Sequence, residues 1–420
     1  MLLHGQHNFL HTERSKHAFF RVGKSISGSV ALSQYDTCIS MGVLDLKRRH
    51  FLRSASVAPI SLAAPFAISA AKAEGNQDNG TEPYGSFEEV ARFEGPGPSG
   101  IAVLPNGRIF VGFPRHAVDH KGATLGELVG GKVVPYPSAG ISLPSTASPA
   151  ECLVSVHGMT VDRQGRLWLI DDGKRAGHPL QPGAAKVVCI DPATNTIVHN
   201  VVLKAPALLP DSHMNDLRVS LSHGAEGTVF VTDSSFGTKP GLVVVEVGSG
   251  KARRVLTQSS AILPEAGFLA IVEGVPRQYL PKHPQLVSGG VDGIAITKDE
   301  KTLYFAPLTS RKLYSIPVDI LSDPTSDDKK LEAAIRYEGE KGVADGLDFD
   351  SHDLLSTTNY DPYCLLRRNV DGVFELMLRD PSALSPDGIF ASPGFVYCTF
   401  GHWNLLASFN EGHNIRLPPS

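Results

Sequence analysis

Six residues whose side chains donate, accept or titrate stand at the head of one recurring phrase. They are Ser99, His157, Asn215, Asp292, Asp345 and Asp387, in Ser99-Gly-Ile-Ala-Val, His157-Gly-Met-Thr-Val, Asn215-Asp-Leu-Arg-Val, Asp292-Gly-Ile-Ala-Ile, Asp345-Gly-Leu-Asp-Phe and Asp387-Gly-Ile-Phe-Ala. Three carboxyls, an amide, an imidazole and a hydroxyl, brought to one place, make an oxygen-rich cation site or an amine-binding pocket. Taken singly, each has a plainer reading. Asp-Gly is a turn dipeptide, and His157 is as readily a hydrogen-bonded packing residue as a ligand or base. Asp171-Asp172 and Asp233-Ser-Ser read as turn or cap residues at strand ends. Other signatures are missing: there is no G-x-S-x-G elbow, no Gly-rich phosphate loop, no H-E-x-x-H, and no Cys/His spacing of a zinc site.

The elements that would position these residues follow from the spacing of the phrase, which is 58 (99 to 157), 58 (157 to 215), 77 (215 to 292), 53 (292 to 345) and 42 (345 to 387). A propeller blade of four strands takes roughly 40–50 residues, so each interval fits a blade plus loops. Most phrases run through a turn into a second apolar run, as in Leu104-Pro-Asn-Gly-Arg-Ile-Phe-Val and Asp162-Arg-Gln-Gly-Arg-Leu-Trp-Leu, which is strand-and-turn chemistry. The expected fold is all-β, a six-bladed β-propeller in a single domain over 87–420; a β-sandwich would require no sixfold phrase. In a propeller the first strand of each blade lines the central channel, so the six residues would open at one mouth. Phe87 to Phe93 alternates like a strand ahead of the first repeat. The last repeat offers strands at 387–391, 395–400 and 404–409, so the N-terminal strand would supply the fourth and close the ring, removing exposed edges. The largest excess, 257–285, would lie over one mouth. A protein-interaction platform on loops 115–150 and 257–285 has only loop length to recommend it.

Composition and export signals bound the function. The 420 residues carry a formal net charge of −4 with 42% apolar residues, which offers no field for a polyanion and excludes nucleic acid as the expected partner. Lys47-Arg48-Arg49-His50-Phe51-Leu52, a mildly apolar stretch to Ala70 and Ala71-Lys72-Ala73 resemble a bacterial twin-arginine (Tat) signal with a small-x-small cleavage site. Residues 1–73 are therefore expected to be the signal region, with 1–40 an over-long start ahead of Met41, and 74–86 a disordered lead-in. The apolar stretch is too short and weak to span a membrane. The mature protein would be periplasmic or secreted, with no membrane partner after cleavage. Beyond Cys38, the four remaining Cys residues, Cys152, Cys189, Cys364 and Cys398, either pair in an oxidising compartment or stay as buried thiols.

Ser155-Val-His-Gly-Met-Thr-Val-Asp-Arg-Gln-Gly-Arg-Leu-Trp-Leu-Ile-Asp-Asp-Gly, with Met214-Asn-Asp-Leu-Arg-Val, Val231-Thr-Asp-Ser-Ser and Leu303-Tyr-Phe-Ala-Pro-Leu-Thr-Ser, resembles the yellow/major royal jelly protein family over about 87–417. Bacterial members carry dopachrome-tautomerase-related labels. The resemblance implies a six-bladed propeller with a small-molecule ligand, among them amines, at the channel mouth. It carries His157, Asn215, Asp292 and, in the fifth repeat, Asn359 to the ligand site; the repeat itself adds Asp345 and Asp387. A more distant resemblance is to the gluconolactonase/regucalcin group, where a divalent metal such as Ca²⁺ is held by a Glu, an Asn and an Asp. Asn215 and Asp292 match that Asn and Asp, whereas the first repeat offers Ser99 in place of the Glu. Two functions are thereby expected: a binder, or tautomerase, of a small polar or amine-bearing molecule, and alternatively a divalent-metal-dependent lactone hydrolase.

Overall fold

A computed structural model describes residues 16–24, 83, 85–235, 239–272, 274–280, 282, 289–380 and 383–403. The twin-arginine motif, Cys38, the lead-in up to 82 and the expected strand at 404–409 lie outside the described residues.

Two strands precede the first repeat, β1 (Lys16–Lys24) and β2 (Gly85–Glu94). The first sheet of consecutive strands is β3 (Ile101–Val103), β4 (Ile109–Gly112), β5 (Leu125–Val129) and β6 (Lys132–Pro135). The second is β7 (Val156–Val161), β8 (Leu167–Asp171), β9 (Lys186–Asp191) and β10 (Thr196–Val202). The third is β11 (Met214–Ser220), β12 (Thr228–Asp233), β13 (Gly241–Glu246) and β14 (Lys251–Val255). A hairpin, β15 (Leu269–Val272) and β16 (Val275–Gln278), follows. The fourth sheet is β17 (Val291–Ile296), β18 (Thr302–Pro307), β19 (Lys312–Pro317) and β20 (Arg336–Glu340). The fifth is β21 (Ala344–Phe349), β22 (Leu355–Asn359), β23 (Cys364–Arg368) and β24 (Phe374–Arg379). Strands β25 (Pro386–Ser392) and β26 (Phe395–Phe400) come last. Among the described residues, helix is confined to three pieces of four to seven residues.

The protein is an all-β propeller. Five antiparallel blades are made of four consecutive strands each, and a further four-stranded sheet has the order β2-β1-β26-β25. The expected strand at 87–93 falls within β2 and belongs to that sheet. It does not pair with β26 directly, because β1 pairs with β2 on one side and with β26 on the other. β1 comes from the segment read as an export signal.

Apolar cores form between successive blades. Trp168, Ile170 and Val187 meet Leu217, Val229 and Val243 in one. Ala295, Ala306 and Leu313 meet Leu347, Phe349 and Leu355 in another. Inner strands are covered on both faces, which is why β8, β9 and β12 read as near-continuous Val, Ile, Leu and Phe instead of alternating.

The recurring glycine has a packing cause. A Cβ on Gly100 would stand 2.1 Å from the His157 carbonyl oxygen, on Gly293 2.4 Å from that of Asp345, on Gly346 2.4 Å from that of Asp387, and on Gly388 2.1 Å from that of Ser99. None of these glycines has a positive φ. Gly293, Gly346 and Gly388 sit in first strands at register shifts, between Val291 and Gly293, Ala344 and Leu347, and Pro386 and Ile389, while Gly100 directly precedes β3. The turn reading of Asp-Gly is thus replaced: the phrase encodes a β-bulge, which re-aims a side chain, and a glycine that lets neighbouring first strands close up.

The four Cys residues within the described structure, Cys152, Cys189, Cys364 and Cys398, are all free and buried. Of the two readings of those four, buried thiols is the one observed.

Candidate functional site

The bulges bring the phrase-opening residues together. A cavity open to solvent is lined by His116, His157, His213, Asn215, Ser234, Asp292, Leu308, Asp345, Asp387 and Trp403. Five of the six expected site residues are on this wall. Asn359 is not; it is buried and its Nδ2 donates to Thr357 Oγ1 at 2.8 Å.

The openers form a polar chain from blade to blade. Ser99 Oγ is 3.1 Å from His157 Nδ1 and is hydrogen-bonded to Asp387. Asn215 Nδ2 donates to Ser234 Oγ at 3.0 Å and to Asp292 Oδ2 at 2.5 Å. Asp292 in turn shares a hydrogen bond with Asp345.

Enclosure sets the protonation. Burial, reinforced by the nearby Asp387 and Asp216, holds the Asp292 carboxyl up at about 7 against an ordinary 3.8. Burial and the Asp292 charge push Asp345 well above the carboxylate range. Burial and the Asp345 charge do the same to Asp387. Burial also drives the His157 and His116 imidazoles well below 6.5, helped by neighbouring imidazoles, so both rings are neutral at physiological pH. The wall therefore combines neutral carboxylic acids, a carboxyl that titrates near neutrality and imidazoles that stay uncharged.

Strand ends and buried charges hold the pieces. Asp171, at the end of β8, accepts from Val154 N, Ser155 N and Lys186 Nζ at 2.8, 2.7 and 2.7 Å, fixing the approach to β7. Asp233 accepts from His213 N at 2.9 Å ahead of β11. Both are cap residues, as their position after a strand suggested. Buried Arg115 donates to the Gly122 and Ser142 carbonyls at 2.7 and 3.2 Å and to the Val154 carbonyl, which fixes the loop carrying His116. Three residues along β11 from Asn215, buried Arg218 reaches across to the Leu347 carbonyl at 2.6 Å, about 10 Å deeper at 3.3 Å per strand residue.

Sequence reasoning left His116, His213, Ser234, Leu308 and Trp403 unassigned. Ser234 follows β12 as Asp172 follows β8, a signal the repeat did contain. His116 and Trp403 come from loops outside the repeat phrase, and only the fold brings them in.

A sequence model of the major royal jelly protein family matches residues 154–375, more than half of the chain. The chain belongs to the major royal jelly protein family. Among family relatives, it is 26% identical over 236 residues to dopaminechrome tautomerase of Drosophila melanogaster, covering 53% of this chain and 48% of that protein. It is 23% identical over 218 residues to major royal jelly protein 3 of Apis mellifera, covering 50% and 36%. The chain thus spans about half, or less, of the length of the curated relatives it matches. Similar solved structures include a gluconolactonase of Xanthomonas campestris, at 14% identity and TM-score 0.42 over 73% of this chain and 86% of that one. Regucalcin, a calcium-binding protein of Agrobacterium tumefaciens, is similar at 14% identity and TM-score 0.39 over 71% and 78%.

Proposed function

We propose that this family member binds a small amine-bearing molecule at the mouth of its propeller channel and tautomerises it. The observation that carries the reading is the convergence of Asp292, Asp345 and Asp387 with His157 on one small cavity. Support comes from the family relative that is a dopaminechrome tautomerase. A tautomerase needs a base beside a C–H and an acid beside the atom that ends up with the proton. Asp292, held near 7, is the base. Neutral Asp345 and Asp387 are the acids, kept protonated by enclosure so that they can donate.

For an aminochrome the step balances without any oxidant. Asp292 takes a proton from a ring carbon of the fused amine ring. The C–H electron pair moves through the conjugated system to a quinone oxygen, and that oxygen takes a proton from Asp345 or Asp387. This first shift gives a quinone-methide tautomer. Once the proton on Asp292 has returned to Asp345 or Asp387, a second proton from the adjacent ring carbon moves in the same way to the other quinone oxygen, and the product is the dihydroxyindole isomer. The neutral imidazoles leave the ring amine uncontested by positive charge. Turnover of dopaminechrome, followed by loss of its visible absorbance, tests the reading in wild type and Asp292→Asn. Binding without turnover would leave a binder only.

The working form is an exported, six-bladed ring whose closing blade holds β2, β26 and β25, cleavage after Ala73 removing β1 (Lys16–Lys24) from that sheet. First strands that neighbour one another in the order β3, β7, β11, β17, β21, β25 and back to β3 support the ring, and the twin-arginine pattern supports export to the periplasm or beyond, free of membrane and nucleic acid.

A second reading, divalent-metal-dependent lactone hydrolysis, is favoured by one observation. Asn215 and Asp292 stand side by side with Asp345 and Asp387, an oxygen donor set that suits Ca²⁺. Ser99, bonded to His157, stands where an acid from the first blade would complete it. Calcium bound in stoichiometric amount and lost in Asp292→Asn, together with lactone turnover, would favour this reading over tautomerisation.

A further inference from the structure

The same cavity has a nitrogen face opposite its carboxyls in chemistry. His116, His157 and His213 come from the loop after β4, from β7 and from the residue before β11, and one ligating atom of each lies within 4.8 Å of the others. Their rings pack against one another at centroid distances of 4.5–5.1 Å. Three imidazoles at such range have no hydrophobic reason to meet, and two are fixed in the manner of metal ligands. His213 Nδ1 donates to Asp172 Oδ2 at 3.1 Å, and Asp172 is itself pinned by Met214 N at 3.0 Å. His157 Nδ1 is tied to Ser99 at 3.1 Å. A carboxylate or hydroxyl on Nδ1 sets the tautomer and directs Nε2 as the ligating atom. The third ring, His116, has a buried Nδ1 with no hydrogen-bond partner, an atom that costs free energy unless something binds it.

We infer that His116, His157 and His213 form a binding site for a divalent transition metal, of which Zn²⁺ is the best match. Three imidazoles with a further position open to the cavity are a known zinc arrangement, with Zn–N bonds of about 2.0–2.1 Å. Hard calcium would avoid nitrogen donors. Closing the ligating atoms to tetrahedral spacing takes shifts on the order of an ångström, within reach of His116 on its loop. Asp172 and Ser99 are positioning residues for this site. The inference goes beyond tautomerisation and the oxygen-donor reading: of its three ligands only His157 enters either of them, and His116 and His213 are used by neither.

The test is metal titration of the whole protein after chelation and dialysis, read by elemental analysis, with the visible spectrum of Co²⁺ as a probe of nitrogen ligands. Expected are one Zn²⁺ per chain, a rise in the unfolding temperature on adding Zn²⁺, and affinity lowered at least tenfold in His116→Ala and His157→Ala. Asp172→Asn should lower it by about 10–100-fold. Asp292→Asn should bind Zn²⁺ as wild type does. His116 is the half-buried member of the three, so His116→Ala folds even where His157→Ala does not. Substoichiometric zinc in the wild type, unchanged affinity in His116→Ala, or loss in Asp292→Asn alone would overturn the site. Tautomerase turnover that fails while zinc binds, or persists while zinc does not, separates this inference from the proposed function.

Discussion

Asp292 concentrates the chemistry of the site in one carboxyl. It is 4% exposed, bonded to Asn215 and Asp345, and its carboxyl is held at about 7 by burial. A carboxyl with a raised folded pKa favours the fold when protonated. Its contribution is complete below the unfolded value of 3.8 and is lost as pH rises through about 7. The shift is of the order of 4 kcal/mol at most, at about 1.4 kcal/mol per unit. Asp292→Asn keeps the shape and removes the titration. Urea melts of wild type and variant should therefore draw together, or cross, between pH 5 and pH 8, the variant gaining relative to wild type as pH rises. A constant difference across that window would mean the carboxyl does not titrate there. The residues that open the six phrases were legible in the sequence because each heads the same short pattern. His116, His213 and Trp403 were not, because no repeat marks them and their proximity is created by loops returning to the mouth.

The phrase itself is a device of the first strands. The bulge aims the opening side chain at the cavity, and the following glycine lets the next blade's carbonyl approach to a distance no Cβ could tolerate. Gly293→Ala must push its methyl against the Asp345 carbonyl and the Leu347 side chain, at 2.4 and 2.8 Å. The expected loss is about 1–3 kcal/mol, as for other overpacked sites, seen as a lowered urea midpoint with an unchanged slope. A midpoint equal to wild type would show that the first strands are free to move apart. The sequence identified glycine at this place, but a turn was the wrong physical reason for it, because contact between blades leaves no mark on local propensity. The second strands were read more directly. Thr228–Asp233 and Leu167–Asp171 are β-branched and aromatic runs after a turn, where propensity and burial agree. The hairpin β15–β16 was seen only as an excess of length. It packs Phe268, Ala270 and Val272 onto Val343 and Tyr360, beside Leu308 of the cavity wall.

At the scale of the molecule, the closing sheet matters most. Phe87 and Phe93 of β2 meet Phe400 and Phe113 edge-on at 6.4 and 5.2 Å, so β2 ties the last sheet to the first. β1 lies between β2 and β26, yet belongs to the segment carrying the export pattern. A chain beginning at Pro83 loses β1 and keeps the aromatic anchors, while one beginning at Gly95 loses both. The second should lose more than about 3 kcal/mol relative to the first, given the usual 3–5 kcal/mol for a buried Phe→Ala. Equal stability in denaturant melts would place ring closure elsewhere. Sequence indicated the N-terminal strand through its alternation, but not β1, which no repeat accompanies.

The most direct measurement of the central claim is the pH profile of dopaminechrome tautomerisation by the purified protein. A base held near neutrality gives a rate that rises with pH through about 7 and then levels. Asp292→Asn should lower kcat by roughly 10²–10⁴-fold and abolish that rise, with substrate still bound. A variant that keeps wild-type kcat and the same rise through neutrality would contradict the assignment of Asp292 and, with it, the proton-transfer site.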